Sequence, residues 1–134
     1  AILKKFLLYR TYHGSAMNPA VQAASKVAWT DEQHVIENRR MYREKFNQAM
    51  TILAEHLPVV MPDAAFYLWL KTPISDVEFT QKLYRDYNVN VLPGSYLARE
   101  AHGVNPGESF VRIALVAPLA DCMEAMERIK DCCI

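Results

Sequence analysis

Arg112 is the residue of this 134-residue chain whose type and setting best suit it to chemistry. It stands in the run Ser109-Phe110-Val111-Arg112-Ile113-Ala114-Leu115-Val116, whose other members from Phe110 onward are all apolar. Such a run reads as a buried strand. Alternation then puts Val111, Ile113 and Leu115 on one face and Phe110, Arg112 and Ala114 on the other. A guanidinium cannot shed its charge and is almost never fully buried without a partner. Two readings stay open. Either the second face of the strand meets water or pairs Arg112 with a structural Asp or Glu, or Arg112 receives an anion. Its planar fork of donors fits a carboxylate bidentately, so a carboxylate is the sharper ligand class.

The remaining chemistry-bearing residues are sparser. His13, His34, His56 and His102 show no ligand spacing, and Cys122, Cys132 and Cys133 show none either, so no metal site is expected. His13, beside Gly14 and Ser15, could contact a phosphate or simply be solvated. Neither a Gly-rich phosphate loop nor a G-x-S-x-G elbow occurs. Val91-Leu92-Pro93-Gly94-Ser95 puts a strand, a sharp turn and a polar residue together about eighteen residues before Arg112. Phe66-Tyr67-Leu68-Trp69 could stack on bases, but with no basic residues interleaved it reads as sheet core.

The elements that must position these residues follow from periodicity. Apolar spacing predicts a helix over 1–12, and residues 11–17 read as a loop. Asn18-Pro19 opens a helix to about Trp29. Thr30-Asp31-Glu32-Gln33 reads as a capping box that starts a long helix ending near His56, with Tyr42, Phe46, Ala49, Met50, Leu53 and Leu57 along one stripe. Strands are expected at Val59–Met61, Ala64–Leu70, Val89–Leu92 and around Arg112. Ser75-Asp76-Val77-Glu78 reads as a capping box for a helix carrying Phe79, Leu83 and Tyr87. Residues 95–108 read as loop, and a last helix starts at Pro118. The fold class is α+β: a small mixed or antiparallel sheet of three to four strands covered by helices on one side, preceded by further helices.

Bulk properties exclude several classes. Fifteen Lys plus Arg balance fifteen Asp plus Glu, a formal net charge of zero that argues against nucleic-acid binding through a basic surface and against a polybasic membrane anchor. No apolar run approaches the roughly 18 residues of a membrane span. Three cysteines without metal spacing suit reduced thiols in the cytoplasm. The chain opens at Ala1 in helix-like sequence without a capping residue, and so reads as a cut inside a longer polypeptide.

Three segments, Ala65-Phe66-Tyr67-Leu68-Trp69, Val91-Leu92-Pro93-Gly94-Ser95 and Phe110-Val111-Arg112-Ile113-Ala114, together resemble the C-terminal third of a fold-type I, class I/II aminotransferase dependent on pyridoxal phosphate. The run from Tyr9 to Met17, with Ala28-Trp29 and Asn38-Arg39-Arg40, is similar more narrowly to the N-succinyldiaminopimelate aminotransferases of bacterial lysine biosynthesis. The resemblance implies that residues 1–30 end a large cofactor-binding domain and residues 31–134 form a small domain. It implies that Arg112 clamps the substrate α-carboxylate and that Arg10 reaches a second, distal carboxylate. Tyr12, His13 and Ser15 would contact cofactor or active site across a homodimer interface. The substrates would be glutamate and a 2-oxo acid such as N-succinyl-2-amino-6-oxopimelate.

The family's Schiff-base lysine sits in a Ser-x-x-Lys motif, and no serine here is followed by Lys at the third position. That lysine is expected just ahead of Ala1, no residue of this chain is expected to be catalytic, and the isolated chain should be inactive. A non-catalytic α+β module that holds a carboxylate metabolite through Arg112 is the alternative, and an interaction domain with a structural Arg112 is the third reading.

Overall fold

The structure is a computed structural model that describes residues 1–14 and 16–133. Its elements run α1 (Ile2–His13), α2 (Pro19–Thr30), α3 (Gln33–Leu53), β1 (Tyr67–Lys71), α4 (Asp76–Tyr87), β2 (Leu92–Pro93), α5 (Gly94–Leu97), β3 (Phe110–Ala114) and α6 (Leu119–Cys133). The chain divides into two units, Ala1–Glu37 and Asn38–Ile134.

In the first unit, helix signals act without a core. Asn18 caps α2 by accepting the Ala20 N–H at 2.8 Å, with Pro19 at the first helical position. None of the residues of α1 or α2 is buried. The expected loop from Thr11 begins later, because α1 continues through His13. Nothing before Gly14 opposes the helix, and the rings of Tyr9 and His13, one turn apart, meet edge to face at 4.6 Å. The start of α3 also differs from a Thr30 capping box. Thr30 turns its hydroxyl back to the Lys26 and Val27 carbonyls, and Asp31 accepts the Gln33 N–H at 3.1 Å instead.

The second unit holds the sheet. Its strand order is β1-β3-β2, antiparallel throughout, so the Arg112 strand is central. Leu68, Leu70, Val111 and Ile113 point to the buried face and pack with Phe46, Leu53, Phe79, Leu83, Met126 and Ile129 from α3, α4 and α6. Each such side chain taken fully from water contributes about 1.5–3 kcal/mol. The α+β expectation holds, with the smaller strand count.

Three expected strands shrink, Ala64–Leu70 among them, which starts only at Tyr67 and ends at Lys71. Val59–Met61 forms none: Pro58 and Pro62 flank it, and Val60 is exposed. The Val89–Leu92 strand reduces to Leu92–Pro93, because Asn88 caps α4 in the left-handed region (φ 54) and the Val89 N–H returns to the Leu83 carbonyl. Val89 and Val91 are buried in the core instead. α3 ends at Leu53 rather than near His56, and the expected loop at 95–108 begins with the single turn of α5. Ser75 precedes α4 but makes no side-chain cap.

Candidate functional site

β3 alternates as its sequence predicts. Val111, Ile113 and Leu115 are buried, and Arg112 projects from the other face, half-buried. Register places Trp69 of β1 opposite Arg112 on one side and Leu92 of β2 on the other. The guanidinium carbon lies 5.6 Å from the Tyr67 ring centroid, within cation–π range, so an aromatic face rather than an acid holds the cation. Trp69 stacks on Phe110 at 5.7 Å with ring planes 13° apart, and Phe66 meets Tyr67 edge to face at 5.3 Å. The Arg112 Nε is buried and has no hydrogen-bond partner, and Arg112 forms no ion pair among the described residues. The reading that paired Arg112 with a structural carboxylate is therefore not met among them. This arrangement can take an anionic fork, since a donor buried without an acceptor costs about 1–3 kcal/mol until one arrives.

The strand is pinned at both ends. At its exit, Lys45 of α3 donates to the Leu115 and Ala117 carbonyls at 3.0 and 2.6 Å. At its entry, Asp76, in the first turn of α4, accepts the Ser109 N–H at 3.3 Å, the Ser95 N–H at 2.9 Å and the Ser95 hydroxyl at 2.6 Å. Burial pushes the Asp76 carboxyl up, but the Ser95 and Ser109 hydrogen bonds outweigh it and leave the group below the ordinary aspartate value. Ser109 itself has φ 62, and its carbonyl accepts the Thr72 N–H at 2.8 Å. The Pro93-Gly94-Ser95 turn packs backbone to backbone on the loop before β3: a Cβ on Gly94 would stand 2.3 Å from the Gly107 carbonyl oxygen, and one on Gly107 2.0 Å from that of Gly94. Asn105 closes this corner, donating to the Ser95 carbonyl and accepting the Gly107 N–H.

The other predicted residues belong to the first unit. Arg10, Tyr12 and His13 stand together on the last turns of α1, all exposed, so His13 is a helical residue rather than a loop residue. The Arg10 guanidinium lies along the Gly14 backbone. Ser15 lies outside the described residues. Sequence reasoning missed Asp76 and Tyr67. Ser75-Asp76-Val77-Glu78 signalled a helix start, not a carboxylate reaching residues 19 and 33 positions away. Among the described residues no three His, Cys, Asp or Glu side chains gather as a cation site, and no helix is long and apolar enough to cross a membrane.

Known proteins share this fold. An aminotransferase from Neisseria meningitidis superposes over 99% of this chain and 34% of its own, with a TM-score of 0.91 and 53% sequence identity. The probable N-succinyldiaminopimelate aminotransferase of Thermus thermophilus aligns over 77% of this chain and 27% of its own, at 35% identity and a TM-score of 0.62. In sequence, the aromatic-amino-acid aminotransferase 2 of Thermococcus litoralis is 30% identical over 96% of this chain, and the LL-diaminopimelate aminotransferase of Aquifex aeolicus is 34% identical over 84%. The chain spans about a third of the length of these relatives, 33% and 28% in the last two. The model of the family described as aminotransferase class I and II matches residues 6–129, nearly the whole chain, and the chain belongs to that family.

Proposed function

We propose that this chain forms the substrate-carboxylate site of a pyridoxal-phosphate-dependent aminotransferase, with Arg112 as the anchor for the α-carboxylate. The observation that carries the reading is the guanidinium on the open face of the central strand, with its Nε buried and unpartnered. Amino acids and 2-oxo acids share the carboxylate this fork fits, so one anchor serves both halves of an amino-group exchange. Fixing the carboxylate orients the α-carbon, which turns a diffusive encounter into a defined approach.

The proteins of this family work with pyridoxal phosphate, which supplies the carbonyl that carries the amino group. The residues of this chain do not fit that cofactor alone. Lys45 and Lys82 are committed to backbone carbonyls and Lys130 to Glu127, and no lysine has the Ser-x-x-Lys setting. Asp76 is committed to Ser95 and Ser109 rather than open to a ring nitrogen. The isolated chain should therefore show no transamination. Borohydride trapping of added pyridoxal phosphate on one defined lysine, with turnover, would overturn this.

In the proposed whole enzyme, residues 1–30 end the large domain and residues 31–134 form the small one. It works in the cytoplasm as a homodimer, in which Tyr12, His13 and Ser15 face the partner's cofactor. The acceptor is a 2-oxo acid with a second carboxylate held by Arg10, N-succinyl-2-amino-6-oxopimelate, with glutamate as donor. Likeness to the Thermus thermophilus protein supports that choice. The lack of a lysine set for imine formation also suits a non-catalytic module that holds carboxylate metabolites. Calorimetry of the isolated chain with amino and dicarboxylic acids separates the two, tight binding favouring the module.

Arg112→Lys in the full-length protein tests the central claim. A charge-assisted bidentate contact of about 1.5–3 kcal/mol corresponds to a KM raised roughly ten- to hundredfold for donor and acceptor alike. An unchanged KM would remove Arg112 from the site. Arg10→Ala should raise KM for substrates with a distal carboxylate and leave alanine untouched.

A further inference from the structure

An aspartate in the first turn of a helix ordinarily sits in water, where its charge offsets the partial positive charge of the helix end. Asp76 does not. It is 3% exposed, and its two oxygens accept three hydrogen bonds from two loops distant in sequence. Those loops are the ones that hold Arg112. Ser95 ends the Pro93-Gly94-Ser95 turn, and β2, which runs into that turn, pairs Leu92 with Arg112. Ser109 immediately precedes β3, three residues before Arg112, and its carbonyl accepts the Thr72 N–H that follows β1. One carboxylate therefore ties together the corner at which all three strands meet.

The corner has little slack. Gly94 and Gly107 touch backbone to backbone, and Ser109 is held in the left-handed region, which disfavours side-chain-bearing residues. Removing Asp76 would leave the Ser95 and Ser109 amides without that acceptor, with the Thr72 N–H on the Ser109 carbonyl left to hold the strained backbone at β3's entry.

We propose that Asp76 is a positioning residue for Arg112: it sets the entry of β3 against the Pro-Gly-Ser turn, and so the guanidinium's place and the affinity for a substrate carboxylate. This rests on the role given to Arg112 above. Asp76 touches neither substrate nor cofactor and acts only through the strand.

The test uses the full-length holoenzyme in single turnover with two donors, an L-amino acid and the corresponding amine that lacks the α-carboxylate. Asp76→Ala should lower the preference for the amino acid over the amine by about ten- to hundredfold, the scale of a displacement near 1 Å. The rate with the amine should stay within about twofold of wild type. Asp76→Asn, which keeps an acceptor oxygen, should recover part of the preference. Exchange of the Ser95 and Ser109 amides, followed by NMR in the 134-residue chain, should accelerate in the same order. Equal slowing with both donors, or a lowered Tm with an unchanged preference, means that Asp76 serves stability alone and overturns the proposal. Arg112→Ala is measured in parallel. If it leaves the preference intact, the carboxylate-anchor reading fails, independently of Asp76. Should Asp76→Ala not fold, Ser95→Ala removes one of the three donors, and an unchanged preference there overturns the proposal as well.

Discussion

The two units of this chain answer the same helix-forming signals with opposite outcomes. α1 and α2 carry Ile2, Leu3, Phe6, Leu7, Tyr12, Val21, Val27 and Trp29, and all of these are exposed. α4 and α6 bury Phe79, Leu83, Cys122, Met126, Ile129 and Cys132 against the sheet. Among the described residues every buried hydrophobic lies in Asn38–Ile134. Local chemistry builds a helix in both places: a cap and proline at Asn18-Pro19, the left-handed Asn88 that closes α4. Only the second unit adds the apolar burial that supplies most helix stability in a folded protein.

The largest test of this contrast is truncation on either side of it. Phe79→Ala should cost about 3–5 kcal/mol in denaturant unfolding, because it opens a cavity in packed core. Phe6→Ala should stay within about 0.5 kcal/mol, as exposed sites do. Equal losses would mean that α1 shares the core. Amide exchange should show the same divide: α6 amides protected by nearly the full unfolding free energy, α1 amides exchanging close to the unstructured rate.

A smaller effect concerns Asp76. Because folding lowers its pKa, its contribution is fully present above the unfolded value near 3.9 and disappears as pH falls through the lower folded value. Acid unfolding of the wild type should therefore steepen below about pH 4, and Asp76→Asn should flatten that limb. An unaltered acid limb in the variant would show that the carboxylate's hydrogen bonds add nothing to stability.

The smallest effect is chemical. Burial, then the neighbouring Cys132, pushes the Cys133 thiol up to about 11, and burial raises Cys122 and Cys132 as well. About one Cys133 in a thousand is then thiolate at pH 8, so alkylation should be slow until the chain unfolds. Rapid labelling of the folded chain would contradict that burial.

Legibility followed the range of the interaction. Alternation in 110–116 was enough to place Arg112 opposite the core face, and three- and four-residue spacing identified the buried residues Phe46, Ala49 and Leu53 of α3 and Phe79 and Leu83 of α4. His13 lies one residue beyond the expected helix over 1–12, because the helix runs on to Gly14. The strand at Val59–Met61 failed because β-propensity between prolines finds no partner edge. The length of β2 failed because a helix cap absorbed the residues meant for it.

By itself the sequence determined the α+β class, the face on which Arg112 stands and the family to which the chain belongs, since each rests on residues adjacent in the chain or at a fixed period. The tertiary structure alone decided what surrounds that arginine: Tyr67 beneath the guanidinium, Trp69 and Leu92 beside it, no structural acid among the described residues, and Asp76 holding the strand's entry from another helix. Those contacts join residues 19 to 45 positions apart, whose meeting is set by strand register and core packing rather than by any local preference.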